Sequence, residues 1–238
     1  MESLKNIKVK IFADGADKKS MLEMAQKSFI SGLTTNPTLM KKAGVSNYEI
    51  FAKEVLKEIN HKPISFEVFS DDILEMERQA IKITDWGENV YVKVPITNSK
   101  GTSCTKLIEK LSSQGVKVNV TAVMTNSQID EIIDILDTKT PSYLSVFAGR
   151  IADTGVDPIK LMSETVMKLM KNKNCELIWA SPRELLNIFQ ADQIGCHIIT
   201  VTDNILSKLH LIGYNHKKYS LDTVKMFYND AKDAGYSI

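Results

Sequence analysis

The chain has 238 residues, 43% hydrophobic and 25% charged, with 11 Gly and 6 Pro, a composition that suits a well-packed globular body and excludes a disordered or fibrous one. Thirty Lys and Arg stand against twenty-nine Asp and Glu, and the resulting net charge of +1 makes no demand for nucleic acid or a membrane surface as partner. Cys104, Cys175 and Cys196 are widely spaced with no C-x-x-C, residues 1–14 lack a leader's apolar core, and no apolar run nears the ~20 residues of a bilayer span, so a cytoplasmic protein with reduced thiols is expected.

In chain order, residues 7–14 read as a strand, and Met21, Leu22, Met24, Ala25 and Phe29 put an amphipathic helix over 17–28. The pair repeats: a short strand at 32–36, then Pro37 and a helical stretch containing Tyr48, Phe51, Ala52, Val55 and Ile59. Strands follow at 63–68, 89–96, 117–123, 143–149, 175–181 and 196–201, each with a helical pattern after it. Eight strand-then-helix units with no linker between them predict a single-domain (β/α)8 TIM barrel over 1–238. An open doubly wound sheet is the alternative, weakened by the lack of any G-x-G-x-x-G after a strand. Leu221, Val224, Phe227, Tyr228 and Ala231 add an extra amphipathic helix near the C-terminus, free to pack on its own barrel or on a neighbour.

The fourth strand carries a lysine, Lys93, inside an apolar run, where an ammonium needs either a route to solvent or a function. The functional reading is a desolvated amine that forms a Schiff base with a carbonyl substrate. Barrel active sites lie at the C-terminal strand ends, and this chain places Asp14, Thr35, Asn36, Glu67, Lys93, Thr121, Ser145, Arg150, Ser181 and Arg183 there or just beyond. Asp, Asn, Ser and Thr also cap helices and form turns, but seven strands contributing at once favours one shared mouth. Glu67 and Thr121 can shuttle protons through a water, and Asp14 and Asn36 can hold substrate hydroxyls. Arg150, Ser181 and Arg183 make an anion site suited to phosphate. His61, His197, His210 and His216 show no metal-ligand spacing, so neither metal nor cofactor is expected.

The segments F-A-D-G-A-D at 12–17, G-L-T-T-N-P-T at 32–38, Y-V-K-V-P-I at 91–96, V-T-A-V at 120–123, S-V-F-A-G-R-I at 145–151 and W-A-S-P-R at 179–183 together resemble the signature segments of transaldolases, in order and across nearly the whole chain. The resemblance implies a barrel whose Lys93 forms a Schiff base with a ketose phosphate, with Asp14 as the acid/base for carbon-carbon cleavage and Glu67 and Thr121 handling the water. It puts substrate hydroxyls on Asn36 and Ser145 and the phosphate on Arg150, Ser181 and Arg183, with Pro182 standing where the family usually has an aromatic. The short chain is similar to the compact branch that includes fructose-6-phosphate aldolases, which implies a pentameric or decameric homo-oligomer with the helix at 219–238 on a neighbouring subunit. Glu67 and Phe147 match the transaldolase choice, where the aldolases of that branch carry glutamine and tyrosine. The expected activity is transfer of a dihydroxyacetone unit from sedoheptulose 7-phosphate or fructose 6-phosphate to an aldose phosphate. Release of free dihydroxyacetone by an aldolase, and a non-catalytic sugar-phosphate-binding barrel, are the rivals.

Overall fold

A computed structural model describes Leu4 and residues 6–238; the remaining N-terminal residues of the expected 1–238 domain lie outside the described ones. The order is β1 (Lys10–Asp14), α1 (Lys18–Ala25), β2 (Ile30–Thr34), α2 (Pro37–Lys42), α3 (Tyr48–Glu58), β3 (Ile64–Glu67), α4 (Ile73–Thr84), β4 (Val90–Pro95), α5 (Thr105–Ser113) and β5 (Val118–Val123). It continues with α6 (Asn126–Ile135), β6 (Ser142–Val146), α7 (Ala148–Asp153), α8 (Ile159–Leu169), β7 (Cys175–Trp179), α9 (Leu186–Gln193), β8 (Ile198–Thr202), α10 (Asp203–Leu206), a 3-10 helix (Ser207–Leu211) and α11 (His216–Asp233). Each strand pairs in parallel with its sequence neighbours, and β8 closes on β1. This is the expected TIM barrel with its extra C-terminal helix.

Strand parity divides the interior in two. Ile11 and Ala13, Ile64 and Phe66, Val92 and Val94, Val118 and Val120, Leu144 and Val146, and Leu177 and Trp179 point outward and join the helices in one large core. Fully burying a Val, Leu, Ile or Phe side chain of this set contributes roughly 1.5–3 kcal/mol. Residues of the other parity point into the barrel. Near the N-terminal end they are apolar: Phe12, Tyr143, Ile178 and Ile198, with Tyr91 stacked on Tyr143 at 3.9 Å between centroids and Phe12 edge-on to Tyr143 at 5.7 Å. Gly32 admits this floor, since a Cβ there would fall 2.6 Å from the tip of the Phe12 ring. Further along, the same parity yields Ser65 and Glu67, Lys93, Asn119 and Thr121, and Ser145. Polar side chains therefore fill the upper barrel above a closed aromatic floor.

Two local details refine the sequence reading. The helical stretch after β2 is two helices, because Gly44 takes φ +71° after the Ala43 cap and turns the chain between them. Residues 148–153, partly assigned to the sixth strand, form the short helix α7 instead. Helix α11 has no buried residue, and Leu221, Val224, Phe227 and Tyr228 are all exposed. All three cysteines are free and buried, and burial pushes the thiols of Cys175 and Cys196 up to about 12. Among the described residues, no helix is long and apolar enough to cross a membrane.

Candidate active site

A cavity of about 510 Å³ opens at the C-terminal end of the strands, and Lys93 lies in its wall. With only 6% of the residue exposed, the snorkelling route to solvent is closed, and the ammonium is held inside the barrel. Its Nζ donates to the Thr35 carbonyl at 3.0 Å and pairs with Glu67 Oε2 at 3.3 Å. The pairing follows from register: Glu67 stands directly opposite Lys93 across the β3/β4 ladder, so both side chains project inward side by side.

Asp14, at the end of β1, is half-buried in the same wall and accepts from the Thr34 hydroxyl at 2.8 Å, which in turn lies within hydrogen-bond distance of the Thr200 hydroxyl. Burial raises the Asp14 carboxyl above the usual carboxylate range; the nearby Lys93 and the Thr34 hydroxyl pull it back, and Glu67 adds to the rise. A carboxyl poised in this way can take up and give back a proton. The Thr121 hydroxyl is buried in the wall of the cavity without a partner among the described residues, an arrangement that costs roughly 1–3 kcal/mol unless something in the cavity bonds to it. A chain of hydrogen bonds runs beneath it: Ser145 donates to Asn119 at 2.7 Å, and Asn119 donates to Ser65 at 3.0 Å.

The structure brings Asp14, Asn36, Glu67, Lys93, Thr121, Ser145, Phe147, Arg150 and Ser181 together on this cavity. Asn36 also accepts from the Leu39 N–H as the cap of α2, so the capping and lining readings both hold for it. Two candidates stand apart. The Thr35 side chain is fully buried with its hydroxyl on the Ser65 carbonyl, so this residue reaches the site through its main chain. Arg183 grips Asp153 with Nε and Nη2 and Ser181 with Nη1, and it does not line the cavity. The cations lining the mouth besides Lys93 are Arg150, whose guanidinium sits 5.9 Å from the centroid of the Phe147 ring, and Lys42, at the end of α2. Sequence reasoning missed Lys42, the last residue of α2.

Among the described residues, the only two non-glycine residues in the left-handed region, Ala122 (φ 62°) and Ser181 (φ 60°), both line this cavity, so backbone strain is concentrated here. Ser181 is held by a close approach: a Cβ on Gly149 would fall 1.5 Å from the Ser181 carbonyl oxygen, so only glycine fits beside that strained turn. No three His, Cys, Asp or Glu side chains among the described residues gather as metal ligands would.

Comparison with known proteins gives the family. Residues 11–238 match the model of the family described as transaldolase/fructose-6-phosphate aldolase. A protein of Sulfurihydrogenibium sp. named "Probable transaldolase" is 32% identical over 205 residues, 84% of this chain and 88% of that protein. One of the same name from Methanococcus maripaludis is 33% identical over 211 residues, 87% of this chain and 91% of that one. The solved structure of a phosphonomutase candidate from Burkholderia cenocepacia aligns over 92% of this chain and 93% of its own, with a TM-score of 0.55 and 9% identity, a likeness of fold alone. With the family model spanning nearly the whole sequence and relatives matched along most of their own length, the chain belongs to the transaldolase/fructose-6-phosphate aldolase family.

Proposed function

We propose that the protein is a class I transaldolase that moves a dihydroxyacetone unit from a ketose phosphate such as fructose 6-phosphate or sedoheptulose 7-phosphate to an aldose phosphate. The observation that carries this reading is the buried Lys93 Nζ, held between Glu67 and the Thr35 carbonyl in the wall of a cavity that also contains Asp14. The Lys93 amine adds to the ketose C2 carbonyl, and loss of one water from the carbinolamine gives the iminium. Glu67 and the free Thr121 hydroxyl supply and accept the protons of that step through a water. Asp14 then takes the C4 hydroxyl proton as the C3–C4 bond breaks; the aldose leaves, and its electron pair remains on the three-carbon unit as an enamine. An incoming aldose phosphate is attacked by that enamine, Asp14 returns its proton to the new hydroxyl, and water regained at C2 frees Lys93. Arg150 and the Ser181 hydroxyl hold the phosphate, with Arg183 setting Ser181 from behind.

Transfer is favoured over release because Phe147 presents a ring with no hydroxyl to the cavity, leaving the enamine fewer proton sources. Incubated with fructose 6-phosphate and erythrose 4-phosphate, the protein is expected to transfer quickly with ping-pong kinetics and to liberate little dihydroxyacetone when the acceptor is omitted. Release as fast as transfer would establish the aldolase instead. In the same assay Arg150→Ala should raise KM for phosphorylated sugars by roughly 10- to 100-fold, the scale of a lost charge-assisted contact, and leave unphosphorylated ones nearly unchanged. Equal losses on both would take the phosphate away from Arg150.

The exposed apolar residues of α11 support a homo-oligomer, pentamer or decamer, in which this helix packs on a neighbouring subunit. Sedimentation at micromolar concentration should show a species several times the 26.7 kDa of one chain, and a monomer there would end this reading.

A further inference from the structure

Glu67 ends β3, and its flank toward β2 has lost its ladder. The β2/β3 pairing stops at Thr34 opposite Ser65, with a last bond from the Thr35 N–H to the Ser65 carbonyl at 3.1 Å. Continued in parallel register, the next two bonds would run from the Glu67 N–H to the Thr35 carbonyl and from the N–H of residue 37 to the Glu67 carbonyl. Neither is made: the Thr35 carbonyl accepts from Lys93 Nζ while the Glu67 N–H turns to Tyr48, and residue 37 is Pro37, which has no N–H. The hydroxyl of Tyr48 replaces both: it accepts from the Glu67 N–H at 2.7 Å and donates to the Glu67 carbonyl at 2.8 Å. One side-chain oxygen thus stands where a neighbouring strand would be.

That oxygen is itself firmly placed. Tyr48 is the first residue of α3, whose start is set by Asn47 accepting from the Ile50 N–H at 3.0 Å. Its ring packs against Phe69, Trp86 and Phe66 at centroid distances of 5.4, 5.8 and 6.3 Å. Burial pushes the phenol well above its ordinary range, so the hydroxyl keeps its proton at any working pH.

We propose that Tyr48 is a positioning residue for the reaction: by completing the broken ladder at Glu67 it fixes that residue's main chain, and with it the carboxylate that pairs with Lys93. The inference rests on Lys93 and Glu67 acting as proposed above. Tyr48→Phe keeps the aromatic packing and removes only the hydroxyl. It should lower kcat for transfer roughly 10- to 100-fold, the scale of a small misplacement of reacting groups, with KM for the ketose phosphate unchanged and borohydride trapping on Lys93 slowed in step with kcat. Amide hydrogen exchange gives an independent readout: the Glu67 amide, though without a main-chain acceptor, should exchange slowly in the unsubstituted protein and at least tenfold faster in Tyr48→Phe. Rapid exchange at Glu67 in the unsubstituted protein overturns the lock whether or not the variant folds. A Tyr48→Phe protein that melts earlier but keeps its kcat overturns the positioning role and leaves the Schiff-base reading intact. Failure of the unsubstituted protein to trap ketose on Lys93 overturns both.

Discussion

Lys93→Met is expected to lower transfer by roughly 10⁴-fold or more, the order seen when a covalent nucleophile is removed, while the protein stays folded. Methionine replaces the aliphatic stem almost atom for atom, so the packing around β4 survives. What is lost is the donor shared by Glu67 and the Thr35 carbonyl. Glu67 lines the cavity, where water can solvate it, and the buried Thr35 carbonyl loses one donor, so the melting temperature should fall by a few degrees. Borohydride in the presence of fructose 6-phosphate should fix one reduced three-carbon unit on Lys93, read by peptide mass, and none in Lys93→Met. Labelling that persists in the variant at the same rate would remove Lys93 from the chemistry, whatever its burial suggests.

Asp14→Asn should have the next largest effect, and in two directions at once. Activity is expected to fall roughly 10²- to 10⁴-fold, the usual contribution of a general acid/base, because an amide can still accept from the Thr34 hydroxyl but cannot carry the C4 proton. Stability should rise. The folded-state pKa of Asp14 is raised, chiefly by burial, so between the ordinary carboxylate value and the raised one the folded chain binds more protons than the unfolded chain. Stability therefore falls as pH climbs through that window, and the burial cost is carried in full above it. Asparagine has no such titration, so the variant should lose less stability across the window and melt higher than the parent at its upper end, by about 2–4 °C for each kcal/mol recovered. Parallel stability-pH curves for the two proteins would show that Asp14 is not held at that cost, and activity kept within tenfold would move the acid/base role elsewhere.

Much of this was legible in the sequence, for reasons that differ between residues. Strand parity is local, so the alternation of Val92, Lys93 and Val94, or of Val118, Asn119 and Val120, already places the polar member inside a barrel. Closure then gathers distant strand ends without any further information. Side-chain partners are not local, and there the reading ran out. Nothing near Arg183 announces that Asp153, thirty residues earlier, holds its guanidinium. The Thr200 hydroxyl behind Thr34 and Asp14 depends on β8 closing on β1. Thr35 reads as a polar strand-end residue, but strand parity turns its side chain to the outer face and leaves its carbonyl as the working group. Tyr48 reads as one more apolar position of a helix; only the missing N–H of Pro37, two strands' worth of register and its hydroxyl distances give it another meaning.

The nesting of Gly149 against the Ser181 carbonyl has a bearing on which sugars fit. Arg150 follows Gly149 directly, so the two donors assigned to the phosphate ride on backbones with no slack between them. Under the proposed phosphate assignment, the main chain beneath Arg150 and Ser181 is a fixed stop, and Lys93, pinned from two sides, stands at the other end of a ruler. On that reading a ketose one carbon longer would be met by the exposed Arg150 side chain or by bending between C2 and the phosphate, not by a shifted main chain. Discrimination between six- and seven-carbon donors would then lie in side-chain reach and in the conformational preferences of the sugar, with no loop movement to tune it.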